Sequence, residues 1–461
     1  MAHILLIDFG STFTKLTAVC TTKQDVIGSA SHFTTVDTDI RIGYHNALDE
    51  LTKRLGFKPS FDEVIACSSA AGGLKMAAIG LIEELTVEAA KRVCLGAGAK
   101  VDLVYSHHLN KSEVREIVEH KTDIILLAGG ADGGNSECVL FNARLLGQMG
   151  VKIPIIYAGN KSCIDEIEEI FTEFSIDGYF AENVMPKINQ LNIHSARERI
   201  RLLFLEKIIE AKGIKMIESE IDKVILPTPE AVLQAATLLA KGYGVEQGIG
   251  EIVMVDIGGA TTDMYSISHP TRRGDVVLHG LEEPFAKRTV EGDLGMRYSA
   301  KGILKSLSKE EIHSIKQSSG IDIEAEINYL SNHVDALPQS EHQEVVDTIL
   351  AQLCTYKAMS RHAGKMEEVY TPLGKVYNQT GKDLSMIETV IGTGGVVINS
   401  KNPTEILAHA TNIHHHPFEL RPEKPRYYLD KDYLMSAMGL LSQKEPILAL
   451  QIMKKHLLPL N

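Results

Sequence analysis

Two stretches of this chain, IDFGSTFTK at 7–15 and VDIGGATTDMY at 255–265, are built to one plan. Each begins with an Asp at the end of a β-prone run (Asp8, Asp256), places Gly two residues on (Gly10, Gly258), then small hydroxylic residues, then a second β-prone run. The pattern predicts a β-hairpin whose turn amides point at an anion while the Asp faces the same space from the strand end. A phosphate would repel that carboxylate unless a cation lay between them, so the arrangement suits Mg2+ held mostly through water by Asp8 and Asp256. Two such hairpins can clamp one polyphosphate from both sides. Thr261, Thr262 and Asp263 return polar groups to the mouth of the second loop. Lys15 reads either as a solvated strand residue or as a point charge reaching the β/γ-phosphates.

Around these hairpins the chain alternates between short apolar runs and helical stretches. Runs at 4–9, 15–20 and about 25–36, a helix near 44–55, a strand at 63–67, helical segments about 74–96 and a strand at 101–106 form an opening unit, 1–106. From 107 to 222 the style becomes strand, Gly turn, helix, repeated (strands at 124–128, 153–158 and 178–184), which predicts βαβ units on a parallel sheet. The remainder, 223–461, holds a helix at 229–242, the strand pair 251–268, a mostly polar helical insertion about 300–385, the strand-Gly unit ETVIGTGGVVINS at 388–400 and a closing helix at 432–443. A length of 461 residues exceeds what one core normally fills, so at least two domains are expected.

With 60 acidic against 47 basic residues the formal charge is −13, which disfavours nucleic acid or an anionic membrane as the main partner. A small anion can still bind a local nest of amides. The six cysteines show no CxxC pair, as expected of free thiols in a reducing compartment. The first residues, MAHILLIDFGS, lack a basic leader, and no apolar run reaches the 18 residues of a spanning helix, so a cytoplasmic location is expected.

DFGSTFTK resembles the first phosphate loop of the actin and heat-shock chaperone ATPase superfamily, and DIGGATTD resembles the second. VIGTGGVV at 390–397 is similar to the adenosine loop, PTPEAVLQAATLLAKG at 227–242 to the first connecting helix, and YLMSAMGLLS at 433–442 to the last crossing helix, where Ala437 and Gly439 permit close backbone approach. The resemblance implies an α/β fold of two ribonuclease-H-like lobes around an ATP cleft, with an inserted α/β module at 107–222. It also implies the site. Asp8 and Asp256 orient Mg2+; Gly10, Ser11, Thr12, Gly258, Gly259 and Thr261 cradle the β/γ-phosphates; Gly392, Thr393, Gly394 and Gly395 lie against the nucleoside; Asp263 and Lys15 join Asp8 and Asp256 as catalytic candidates.

One departure concerns the attacking water. Heat-shock chaperones carry a Glu before the Pro of the connecting motif, whereas Leu226 precedes Pro227 here; Asp263, Glu291 and Asp293 are the candidates to replace it. Slow turnover follows if none does. More closely, IDFGSTFTK, CSSAAGGLKMAAIGL, LAGGADGGN, PIIYAGN, VDIGGATTDMYS and TVEGDLGMR resemble the accessory protein of adenosylcobalamin-dependent glutamate (methylaspartate) mutase, a family unrelated to the mismatch-repair proteins of similar name. That resemblance implies a chaperone-like reactivating factor with mutase subunits as partners, driving exchange of damaged cobalamin. A small-molecule kinase and an actin-like scaffold ATPase are the alternatives within the superfamily. LLAGGADGGN at 126–135, which looks like a phosphate loop in isolation, reads instead as a strand-end turn of the inserted module, with Asp132 disfavouring an unaided phosphate.

Overall fold

The computed structural model describes residues 3–10, 12–35, 39–69, 74–211, 220–270, 276–372, 374–413 and 416–460. The run HILLIDF is apolar at almost every position because the strand it forms, His3–Phe9, is covered on both faces, with all but His3 buried. Phe13–Cys20 returns antiparallel beside it, followed by Asp25–Phe33. On its other side Glu63–Ser68 and then Lys223–Pro227 add in parallel. A second sheet repeats this order and polarity. Ile252–Ile257 is central, Thr262–Ile267 and Ala286–Glu291 lie antiparallel to one side, and Thr389–Thr393 and Arg426–Leu429 run parallel on the other, with Leu458–Leu460 at the edge. Two sheets of identical order and sense are the two ribonuclease-H-like lobes of an actin-like ATPase fold.

The lobes are joined by exchanged helices. Thr228–Lys241 leaves the fifth strand of the first sheet and packs against the second, while Met435–Leu441 leaves the fifth strand of the second sheet and packs against the first. Leu6 and Val19 from one sheet, Met254 and Ile391 from the other, and Leu239 and Met438 from the two helices share one buried core. Where the helices cross, a Cβ on Gly439 would stand 1.9 Å from the carbonyl oxygen of Ala231. Only glycine lets these backbones meet.

A third sheet is wholly parallel, in the order Lys100–Ser106, Lys75–Gly80, Ile124–Leu127, Ile155–Tyr157, Gly178–Phe180. Two sequence expectations change here. The segment 74–96, read as helical, opens with a central strand, KMAAIG, before a π-helical turn at Glu83–Val87 and the helix Glu88–Gly96. Its small and apolar residues are buried on both faces, which periodicity does not separate from a buried helix. The strand at 100–106, read as completing the opening unit, pairs with Lys75–Gly80 instead. This sheet also shares a core with the first lobe through Met76, Ala78 and Ile124 beside Leu5 and Ile7.

The insertion read as helical over 300–385 is helical to His362 and then turns into strands Lys365–Thr371 and Gly374–Thr380, which join Val276–His279 in a small sheet. The loop SSAAGG lies outside the described residues over 70–73. The last helix, Pro446–His456, is clipped to the edge strand of the first lobe. His456 Nε2 lies 2.8 Å from Asp25 and Nδ1 lies 2.8 Å from Asp432, with Lys455 also paired to Asp25.

Substituting Gly439→Ala should cost about 3 kcal/mol or more by urea unfolding, since the clash is with backbone and cannot be relieved by a rotamer. At His456, burial opposes the charge, but hydrogen bonds and charge from Asp25 and Asp432 outweigh it and raise the imidazole above its ordinary value. A raised histidine contributes stability below about pH 6.5 that is lost as pH climbs through its folded value. The melting-temperature deficit of His456→Gln should thus be largest near pH 6 and shrink above neutrality, worth no more than about 1 kcal/mol at this partly exposed position.

Candidate functional site

The two hairpins that head the central strands are superimposable in plan. In the first, the Gly10 amide donates to the Phe13 carbonyl at 3.1 Å; in the second, the Gly258 amide donates to the Thr261 carbonyl at 2.9 Å. Asp8 stands opposite Lys15 in the ladder as Asp256 stands opposite Asp263. Gly10 is required by space, because a Cβ there would lie 2.6 Å from the Phe13 oxygen. Ser11 lies outside the described residues, while Thr12 fixes the loop's flank by accepting the Thr34 amide at 2.8 Å. In the second hairpin the Gly258 carbonyl accepts from Met296, and that of Gly259 from Arg297 and Tyr298, so TVEGDLGMR backs the loop.

The third loop meets the second directly. Gly394 has φ +93°, and a Cβ on it would come 2.4 Å from the Ile257 oxygen and 2.9 Å from an Asp256 carboxylate oxygen. Gly395 faces open space. Gly392 and Thr393 are strand residues with other tasks. Gly392 is pressed by Val397 and Leu407, and the buried Thr393 hydroxyl donates to Asp430 at 3.1 Å.

Charge is concentrated where the strand ends and loops meet. Asp8 is buried and accepts the Thr228 hydroxyl at 2.7 Å. Burial lifts the Asp256 carboxyl to about 7, with Asp263 repelling and Lys15 partly offsetting. Burial likewise raises Asp430, although its carboxylate accepts the amides of Leu434 and Met435. Burial pulls Lys15 below the usual amine range, and Asp8, Asp256 and Asp430 restore part of the loss. Among the described residues no three His, Cys, Asp or Glu side chains stand close enough to hold a metal directly, so the hard carboxylate oxygens of Asp8 and Asp256 fit a divalent cation held mostly through water.

The sequence profile of the MutL protein family matches residues 4–457. The chain belongs to that family. This is the glutamate-mutase accessory family whose phrases the sequence resembles. Protein MutL of Clostridium tetanomorphum is 50% identical over 460 residues, covering 99% of both chains. Among solved structures, xylulose kinase from Lactobacillus acidophilus aligns with 10% identity and a TM-score of 0.36, over 100% of this chain and 93% of that one. ROK hexokinase from Thermus thermophilus aligns with 10% identity and a TM-score of 0.28, over 96% and 98%. Likeness this distant adds nothing to the strand order.

In this MutL-family chain the residues weighed for orienting water are held by cations. Asp263 accepts Arg288 Nε at 2.8 Å and the Thr261 hydroxyl at 3.1 Å. Arg288 also reaches the carbonyls of Leu95 and Ala99, tying the second hairpin to the end of helix Glu88–Gly96. Glu291 and Asp293 share Arg361, at 2.6 and 2.7 Å. Leu226 is fully buried in its strand.

Three site residues escaped the sequence reading. Asp430 ends the β-run RYYLD, the same signal as Asp8 and Asp256 but without a following Gly. Thr228 stands at the strand end in PTPE, and Tyr433 carries no sequence signal at all. A Gly394→Val change should drive the third loop off the second, lowering nucleotide affinity at least tenfold by titration calorimetry while the melting temperature falls only a few degrees.

Proposed function

We propose that this protein binds Mg-ATP between its two hairpins, hydrolyses it slowly, and uses the resulting lobe movement to remodel an adenosylcobalamin-dependent mutase of the glutamate (methylaspartate) type in the cytoplasm, driving exchange of damaged cobalamin. The observation that carries the ATP reading is the pair of hairpins of identical register, with Asp8 and Asp256 at equivalent strand ends and both near Lys15. Family membership supports the client.

In this reading the turn amides of the two hairpins and Thr261 hold the β- and γ-phosphates, Lys15 neutralises charge on them, and Gly395 leaves room for the nucleoside. Asp8 and Asp256 would hold Mg2+, which when bound would supply charge neutralisation to the phosphates. Because Arg288 and Arg361 occupy the candidate carboxylates and Leu226 is apolar, little is left to orient a water, which supports slow turnover. A slow cycle suits a switch better than a metabolic kinase. Residues 107–222, which with Lys75–Gly80 and Lys100–Ser106 build the parallel sheet and its helices, are proposed as the surface that meets the client.

Purified protein should hydrolyse ATP well below 1 turnover per second, a typical enzyme managing about 10. Adding the cognate mutase should stimulate it, with no phosphorylated metabolite formed. Asp8→Ala and Asp256→Ala should each abolish Mg-ATP binding by calorimetry. Recovery of no cobalamin enzyme on affinity capture with either ATP or ADP would sink the client assignment.

A further inference from the structure

Lys15 is held in an unusual way. Its ammonium lies 2.9 Å from the centre of the Tyr433 ring. Asp8 stands directly opposite it in the ladder, yet among the described residues no carboxylate or carbonyl takes a hydrogen bond from the Lys15 ammonium, which feels Asp8, Asp256 and Asp430 only as nearby charges. The ring comes from the other lobe, because Lys15 is on the second strand of the first lobe and Tyr433 lies between the fifth strand of the second and the crossing helix Met435–Leu441.

Tyr433 is itself forced into place. Its φ of +54° is in the left-handed region, which an aromatic residue seldom adopts. Its amide donates to the Asp430 carbonyl at 3.1 Å, and the Asp430 side chain caps the same turn through Leu434 and Met435 while accepting Thr393 from the third loop. The ring position is therefore set by a residue that also fixes the start of the crossing helix. An aromatic face attracts an ammonium more weakly than a phosphate does. It also keeps the ammonium from pairing with Asp8 or Asp256 and so leaves both carboxylates to a cation.

We propose that Tyr433 is a positioning residue that stows the Lys15 ammonium against its ring and surrenders it to incoming phosphates, so that ligand entry breaks a contact between the first lobe and the segment leading into the crossing helix. This rests on the nucleotide reading above. Tyr433→Phe keeps the ring; Tyr433→Leu removes it while imposing the same backbone strain. Without the competing ring, Tyr433→Leu should bind Mg-ATP between about twofold and thirtyfold more tightly than wild type, the range that a cation–π contact of about 0.5–2 kcal/mol converts to. Tyr433→Phe should match wild type, and the gain should vanish in a Lys15→Met background.

A second readout begins with the protein before nucleotide is added. In protein with 13C-labelled lysine, the Lys15 ε-methylene signal should be shifted upfield by the ring in the free protein and in Tyr433→Phe. It should lose that shift in Tyr433→Leu and in wild type saturated with Mg-ATP. An unshifted Lys15 signal in the free protein, equal ATP affinities of the Leu and Phe variants, or a gain that persists without Lys15 would each overturn the proposal. If wild type binds no ATP while the upfield signal is present, the nucleotide reading and the release step fall, and the stowed ammonium is left as a structural contact.

Discussion

The approach of two backbones where Gly439 crosses Ala231 sets the geometry on which everything else depends. Each connecting helix leaves the fifth strand of its own lobe and packs on the other lobe's sheet, so the distance between these helices fixes the distance between the sheets. Had the crossing carried any side chain larger than hydrogen, the carbonyl of Ala231 would have to move and the two central strands would part. Because it does not, Asp8 and Asp256, at equivalent strand ends, face a common space.

That space is electrostatically costly. Asp8, Asp256 and Asp430 all lie near the Lys15 ammonium, which itself rests on a ring rather than on any of them. Burial, with Asp263 beside it and Lys15 only partly offsetting, lifts the Asp256 carboxyl to about 7. A cation with a bound polyphosphate would satisfy both the carboxylates and the turn amides. Arg288, by contrast, is spent. It neutralises Asp263 and carries the second hairpin's position to the carbonyls at the end of helix Glu88–Gly96, beside the parallel sheet. Arg288, which silences Asp263, thus connects the second hairpin to the helix that flanks the parallel sheet.

Much of this was legible in the sequence because the signals were local. Asp8, Gly10, Asp256 and Gly258 are spaced as a strand end and a tight turn demand, and the second hairpin's register follows from that spacing. Gly439 stood out as a small residue in an apolar helix. What was hidden is non-local or ambiguous by period. KMAAIG is apolar on both faces, so neither the helical nor the strand period distinguishes it, and its misreading put Lys100–Ser106 in the wrong sheet. Lys365–Thr371 and Gly374–Thr380 are half-polar strands that follow a long helix and read as its continuation. Tyr433 and Arg288 act across elements far apart in the chain, which no spacing rule reveals.

The central claim, that two equivalent hairpins close on one nucleotide, is tested most directly by a crystal structure with Mg2+ and a non-hydrolysable ATP analogue. The account predicts the β- and γ-phosphates between the Gly10–Phe13 and Gly258–Thr261 turns, with the cation on the side of Asp8 and Asp256. An analogue bound at the glycine turn 129–134, or clear of either hairpin, would contradict it.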